Sequence, residues 1–399
     1  MSEVEFELRK LGDLIEIYNN KRVPLSAKQR EGLEKIYPYY GAQGIVDYVD
    51  DYIFDGKYIL IAEDGENLKS NNKSICTLAT GKYWVNNHAH IIEGNDETNT
   101  DFLYYKLNSI SFAPYITGSA QPKLNKENLL NIELYIPSRE HQDKIAKVLT
   151  LLDQKIQINN QINQELEAMA KTLYDYWFVQ FDFPDQNGKP YKSSGGKMDY
   201  NPELKREIPE GWGVEKLSSL LEIGRETINP MKTPKEEFKY YSIPEYDVSG
   251  SFSYELGETI RSNKFIVEKS DLLVSKLNPW FNRVVYNLEE NAISSTEFIV
   301  WKTFNRFEKN FLYQVATSKE FIEYCTRFAT GTSNSHKRVS PDIMVGFQIP
   351  FEKTYIQKFG EITDSIRTQV LQNNVQNQEL TQLRDWLLPM LMNGQVKME

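Results

Sequence analysis

Only two cysteines, Cys76 and Cys325, occur in 399 residues. Two thiols can build neither a disulfide framework nor a four-thiolate zinc site. Long apolar runs are missing too: no window approaches the roughly 18 consecutive apolar residues of a membrane span. The N-terminal MSEVEFELRK is acidic, where a secretory leader is basic and then apolar. What is present is ordinary for a soluble globular protein, with 40% apolar and 26% charged residues. The length gives a prior of about two or three domains. The expectation is a soluble, cytoplasmic, multi-domain protein in a reducing compartment.

Positive charge is also in short supply. The net charge is −10 and the pI near 5.2, which at first argues against a nucleic-acid partner. The deficit is uneven, however, since residues 1–138 alone hold 14 basic and 20 acidic groups. Specific recognition needs only a local basic face, so the balance weakens that reading without removing it.

Catalytic signatures are mostly absent. There is no phosphate loop GxxxxGKS/T, which argues against ATP hydrolysis, and no GxSxG elbow. Asn278-Pro279-Trp280-Phe281 resembles the Asn-Pro-Pro-aromatic element of adenine-N6 methyltransferases. Its third position is Trp, and no glycine-rich loop for S-adenosylmethionine lies upstream. Pro184-Asp185 with Glu203-x-Lys205 formally fits a magnesium nuclease pattern, but it sits in a segment that reads as a linker. His88 and His90 could share a strand face, yet no third and fourth metal ligand accompany them. His88 reads better as a polar surface contact. No catalytic, cofactor or metal constellation is expected in this chain.

The strongest positive signal is an internal repeat. NNQINQEL at 159–166 recurs as NNVQNQEL at 373–380. Ile136-Pro137 recurs as Ile349-Pro350, TGSAQPKLN at 117–125 as TGTSNSHKR at 330–338, KLGDLIEI at 10–17 as KLSSLLEI at 216–223, and DFLYYKL at 101–107 as NFLYQVA at 310–316. Five matches in one order mark two copies of a unit, each a domain followed by a helix. The boundaries read as domain 1 over 1–138, helix 1 over 139–181, a Pro/Gly/Ser/Lys-rich linker over 182–206, domain 2 over 207–350 and helix 2 over 351–392. Within the domains, YILIA at 58–62, DLLVS at 271–275, 90–93 and 297–301 read as buried strands.

The helices carry an alternating 3–4 apolar spacing, the mark of a coiled-coil seam. In the first it runs Ile145, Val148, Leu152, Lys155, Asn159, Ile162, Leu166, Met169, Leu173, Tyr176. In the second it runs Phe359, Ile362, Ile366, Gln369, Asn373, Gln376, Leu380, Leu383, Leu387, Met390. Asn159 and Asn373 are matched polar interruptions, which fix register at some cost in stability. Leu152, Asn159, Ile162, Leu166, Ile366, Asn373, Leu380 and Leu383 are therefore the expected helix-pairing or subunit-docking residues. A helix of roughly 35–40 residues is about 55 Å long, a spacer.

Two divergent modules on a spacer suit an extended, two-part target, and duplex DNA is such a target. The loops at 117–125 and 330–338 supply glycine, hydroxyls, amides and cations for phosphates and base edges. Arg338 is the leading candidate for base reading, with Lys337, Lys123 and Lys126 as phosphate contacts. The remaining candidates are Lys21, Arg22, Tyr40, Gln43, Asn87, His88, Ser119 and Gln121 in the first copy. In the second they are Lys276, Asn278, Trp280, Arg283, Thr332, Ser333 and Asn334.

At these residues a family resemblance appears. KLGDLIEI, YPYYGAQGIVDYV (37–49), DGKYILIAEDG (55–65), WVNNHAHII (84–92), TGSAQPKLN and then Ile136-Pro137-Ser138-Arg139-Glu140-His141-Gln142 leading into LLDQKIQINNQINQELE resemble a specificity subunit of a type I restriction–modification system. The resemblance covers nearly the whole chain, although the second copy has YYSIPEYDVSG (240–250) and FEKTYIQKFGEI in place of the first copy's elements. It implies an α+β chain with two target-recognition domains joined by two long antiparallel coiled-coil helices, a pseudo-twofold repeat without catalytic activity of its own. The implied partners are double-stranded DNA, two adenine methyltransferase subunits and two translocase–nuclease subunits, with no membrane. S-adenosylmethionine, ATP and Mg²⁺ would belong to those subunits. The competing expectations are the recognition half of a fused restriction–methylation enzyme and a coiled-coil scaffold that binds only proteins.

Overall fold

The computed structural model describes residues 5–65, 68, 75–118, 122–331 and 336–396. The chain divides into two compact units, residues 1–159 with 375–399, and residues 160–374. Both divisions fall inside long helices, Arg139–Tyr174 and Lys353–Met392. Each unit thus combines one β-rich domain with the N-terminal half of one helix and the C-terminal half of the other.

In the first unit a six-stranded sheet runs Ile15–Ile17, Ala89–Gly94, Phe54–Ala62, Cys76–Val85, Tyr37–Gly41, Gly44–Val49. Phe54–Ala62 is central because its apolar end can be covered on both faces, and Ile59, Leu60 and Ile61 are all buried. It pairs antiparallel on both sides, placing Ile59 opposite Leu78 and Ile92. Glu7–Lys10 pairs antiparallel with Glu133–Ile136, which brings the domain's two ends together. The core continues into the helices: Ile145, Leu149, Leu391 and Met392 pack with Leu11, Leu14, Phe102 and Leu134.

The second unit repeats the plan with divergent detail. Its sheets are four-stranded (Glu222–Gly224, Phe298–Lys302, Leu272–Ser275, Val284–Tyr286) and five-stranded (Thr227–Ile228, Lys264–Val267, Ala292–Ser294, Glu237–Tyr241, Ser253–Leu256). Gly213–Lys216 and Gln348–Phe351 close the domain as the terminal pair does in the first unit. Aromatic rings dominate the core, where Tyr174, Trp177 and Phe178 meet Phe311 and Phe359. Residues 182–206, read as a linker, are folded against this unit. Phe183 is buried and stacks on Trp212, Asp182 accepts from Ser193, and Met198–Asn201 pairs with Arg206–Pro209.

In each unit the two helix halves run antiparallel. In the first, Asp153 meets Arg384 at 2.8 Å, and Asn159 donates to Gln376 and Asn377. In the second, Asn373 donates to Asn163, and Arg367 grips Glu167 at 2.6 and 3.2 Å. Both interruptions of the seam are buried and hydrogen-bonded.

The register of the seam needs a correction. Ile162 and Leu383 were expected to pair the helices, but both face outward at 41% and 43% exposure, as do Met169, Tyr176 and Ile362. Half of the expected seam holds, with Ile145, Asn159, Phe359 and Asn373 buried; its alternate positions shift by one residue, to buried Leu149, Ala170, Trp177, Thr363, Val370 and Leu391 and half-buried Ile156, Asn163, Asn377 and Arg384. Leu152, Leu166, Ile366 and Leu380 are half-buried beside them. Two neighbouring stripes compete in this sequence. The shifted positions face the partner helix because Asn163 and Arg384 find hydrogen-bond partners there, in Asn373 and Asp153.

Candidate nucleic-acid interface

Both units carry the same backbone frame at the loops singled out from sequence. In the first, the chain leaves strand Phe54–Ala62, and the Glu63 amide donates to the His88 carbonyl at 2.9 Å. The Leu124 amide donates back to the Glu63 carbonyl at 2.8 Å. Thr117 and Lys123 exchange two backbone hydrogen bonds, closing a hairpin whose Lys123 also bridges Asp64. In the second, the Lys276 amide donates to Glu297 at 2.9 Å, Val339 donates to Lys276 at 3.1 Å, Thr330 and Arg338 exchange two bonds, and Arg338 bridges Leu277. The repeat therefore equates Glu63 with Lys276, His88 with Glu297, and Lys123 with Arg338. A strand end joined by backbone bonds to the two feet of each loop gives a common scaffold on which side chains can diverge.

The charges mounted on the two frames differ. In the first unit Glu63 gathers cations: Arg22 Nη1 lies at 2.8 Å and Lys123 Nζ at 3.4 Å. Burial alone would raise the Glu63 carboxyl, but the Arg22 hydrogen bond and the nearby positive charges hold it below the usual range. His88 pairs with Asp64 at 2.8 Å and is half exposed. His90 is buried, accepts from Asn19 Nδ2 at Nδ1 and donates from Nε2 to the Leu124 carbonyl at 2.7 Å. Desolvation holds its imidazole below the ordinary value. In the second unit the place of Glu63 is taken by a cation, Lys276, and the acid is Glu297, chelated by Arg338 through Nε at 2.9 Å and Nη2 at 3.0 Å.

Several candidates converge. Arg22, Asn87, His88 and Lys123 surround Glu63 and Asp64, although Arg22 spends its guanidinium on Glu63 and on the carbonyls of Asn87 and Ala89. Tyr40 packs against Tyr83, and its carbonyl accepts from Asn86. That bond ties the turn bearing exposed Gln43 to the Asn86–His88 segment. Lys21 lies over Tyr18, and Lys126 is exposed at the start of helix Lys126–Leu130. In the second unit Lys276, Asn278, Trp280, Arg283, Lys337 and Arg338 all lie on one turn and one hairpin. Asn278 takes the Lys337 amide on its side chain and donates its own amide to the Lys337 carbonyl. Arg283 pairs with Asp247. Ser119, Gln121, Thr332, Ser333 and Asn334 lie outside the described residues. Sequence reasoning missed the counter-ions Glu63, Asp64, Glu297 and Asp247, because ion pairs across many residues leave no periodic trace.

Comparison with known proteins gives these folds a context. A family profile described as "Type I restriction modification DNA specificity domain" matches residues 3–168. A putative type I restriction enzyme specificity subunit of Haemophilus influenzae is 39% identical over a stretch covering 37% of each chain; the chain therefore spans well under half of that relative's length. A type I restriction enzyme specificity subunit of Methanocaldococcus jannaschii is 27% identical over 75% of this chain and 70% of its own. The HindI specificity subunit of Haemophilus influenzae is 24% identical over 86% and 84%. The crystal structure of a type I restriction–modification S subunit from M. genitalium superposes with a TM-score of 0.59 at 15% identity, covering 100% of this chain and 98% of that one. That likeness supports the fold.

Proposed function

We propose that this chain is a type I restriction–modification specificity subunit, as the profile match over residues 3–168 and the specificity-subunit relatives support, and that it reads a bipartite, asymmetric DNA target, one half with each unit. The observation that carries this is the duplicated hairpin frame bearing different charges. The shared pattern of backbone hydrogen bonds, closing loops of different length, offers the duplex comparable platforms. Glu63 against Lys276 and His88 against Glu297 make the surfaces chemically distinct, as two different half-sites require.

We further infer that two adenine methyltransferase subunits and two translocase–nuclease subunits dock on this chain, bringing S-adenosylmethionine, ATP and Mg²⁺ with them. Exposed apolar side chains on the first long helix, Leu151, Ile158, Ile162 and Met169, support docking along it. No chemical step is assigned to this chain, whose role is placement.

Methylome sequencing of cells with and without the gene tests the reading. One bipartite adenine motif should vanish with the gene. Exchanging residues 205–350 for the matching segment of a relative should then rewrite one half of that motif and leave the other intact. A motif unchanged by the deletion, or both halves changing together, would sink the proposal.

A further inference from the structure

The turn Asn278-Pro279-Trp280-Phe281 has no catalytic partner, yet it is built with care. Asn278 and Asn282 bracket it at φ 47° and 49°, the left-handed region that asparagine tolerates better than most residues. Its base is clamped: Asn278 and Pro279 are buried, and Asn278 makes paired hydrogen bonds to Lys337 at 2.7 and 2.9 Å. Its tip stands in solvent. Trp280 is 38% and Phe281 57% exposed, with ring centroids 6.0 Å apart. Behind them Arg283, fixed by Asp247, lays its guanidinium 4.6 Å from the Phe281 ring. Two adjacent exposed aromatics on a strained, clamped turn are an interaction feature rather than a packing remnant.

The surroundings select the occupant. Among the described residues no carboxylate pairs with Lys276 or Lys337, while Asp247 is neutralised by Arg283 and, in the free chain, Glu297 by Arg338. An apolar knob flanked by cations fits a ligand with apolar flat faces inside an anionic edge, which describes a duplex base step between its phosphates. Resting on the DNA-reading function, we propose that Trp280 and Phe281 form a wedge that enters one base step of the half-site read by the second unit and partly unstacks it, with Lys276 and Lys337 holding the flanking phosphates. Among the described residues the first unit shows no counterpart. Gly65 stands where Asn278 does and also has positive φ, but Glu66 and Asn67 follow it in sequence and bring no ring. The distortion is therefore confined to one half of the target.

The test uses the purified full chain and duplexes of the methylome-derived target with 2-aminopurine placed at successive positions. Fluorescence should rise several-fold at one step of one half only. Trp280→Ala with Phe281→Ala should abolish the rise and weaken binding about tenfold, the scale of a lost stacking contact. Phe281→Leu, which keeps an apolar tip, should retain most of the signal, and circular dichroism should match wild type in every variant. A bound duplex with no rise, a rise in both halves, or a rise that survives the double substitution overturns the wedge. So does a double variant that binds and distorts DNA normally but no longer assembles with the methyltransferase subunit, since the knob would then face protein. If the wild-type chain retains no duplex at all, the DNA-reading function itself fails and the wedge falls with it.

Discussion

Replacing Glu297 by Gln tests whether Arg338 reads a base. In the structure the guanidinium fork is taken up by Glu297 through Nε and Nη2, the same two-pronged geometry that guanine O6 and N7 would use. Reading a base therefore means exchanging one partner for another. The pair is accessible, with 47% of the Arg338 side chain and 24% of the Glu297 side chain exposed, so its worth is about 0.5–1 kcal/mol. A bidentate guanine contact discriminates by roughly 1–3 kcal/mol, enough to drive the exchange. Glu297→Gln removes the competitor and should tighten binding to the true target about two- to five-fold. Binding to a duplex altered at the read position should gain less. Arg338→Ala should cost roughly 1–3 kcal/mol at one target position only. In the Arg338→Ala background Glu297→Gln should help every duplex alike, because only repulsion between a carboxylate and phosphates remains to be relieved. The assay is a binding series over single-base variants at two salt concentrations. Weaker binding by Glu297→Gln, or uniform loss across variants for Arg338→Ala, would make the pair a brace for the hairpin and remove Arg338 from the reading residues.

Lys337→Ala should instead weaken all sequences together and lower the salt slope by about one, read from the same titrations. In the second unit Arg367 is 5% exposed, paired with Glu167 and lying over Tyr313 at 4.0 Å. Glu167→Ala strands a buried cation that cannot deprotonate and should cost about 2–4 kcal/mol; Arg367→Met leaves Glu167 one-third exposed and able to hydrate, and should cost less. Urea unfolding that ranks these two in the opposite order would contradict the burial argument. His90 titrates with a defined sign: the unfolded chain takes its proton near pH 6.5 and the folded chain only lower, so protonation favours unfolding. The stabilisation is complete above about pH 6.5 and declines as pH falls below it, and His90→Gln should flatten the acid-side melting curve between pH 7 and 5. Cys325, whose thiol burial pushes up to about 12, and Cys76, also raised by burial, should resist maleimide in the native chain; rapid labelling without denaturant would contradict the core assignment.

The sequence by itself determined the duplication, because a repeated order of motifs survives any change in loop length. It also determined the two long helices and the matched asparagines Asn159 and Asn373, since a 3–4 spacing over ten positions has few other solutions. The runs at 58–62 and 271–275 were legible as strands between polar breaks, although the first strand starts four residues earlier, at Phe54. Tertiary structure alone decided which of two adjacent stripes forms the seam. Hydropathy favoured Ile162 and Leu383, whereas half-buried Asn163 and Arg384 face the partner helix, where their hydrogen bonds are made. It also decided that residues 182–206 fold onto the second unit, because Phe183 gains its partners from Trp212 and Tyr355, far along the chain. The same holds at the interface. Composition could nominate Arg22, Lys123 and Arg338 as cations near a hairpin, but only the fold brings Glu63 and Glu297 against them. Whether a charge is available to a phosphate depends on what lies within a few ångströms, and that distance is set by the folded backbone, not by the order of residues.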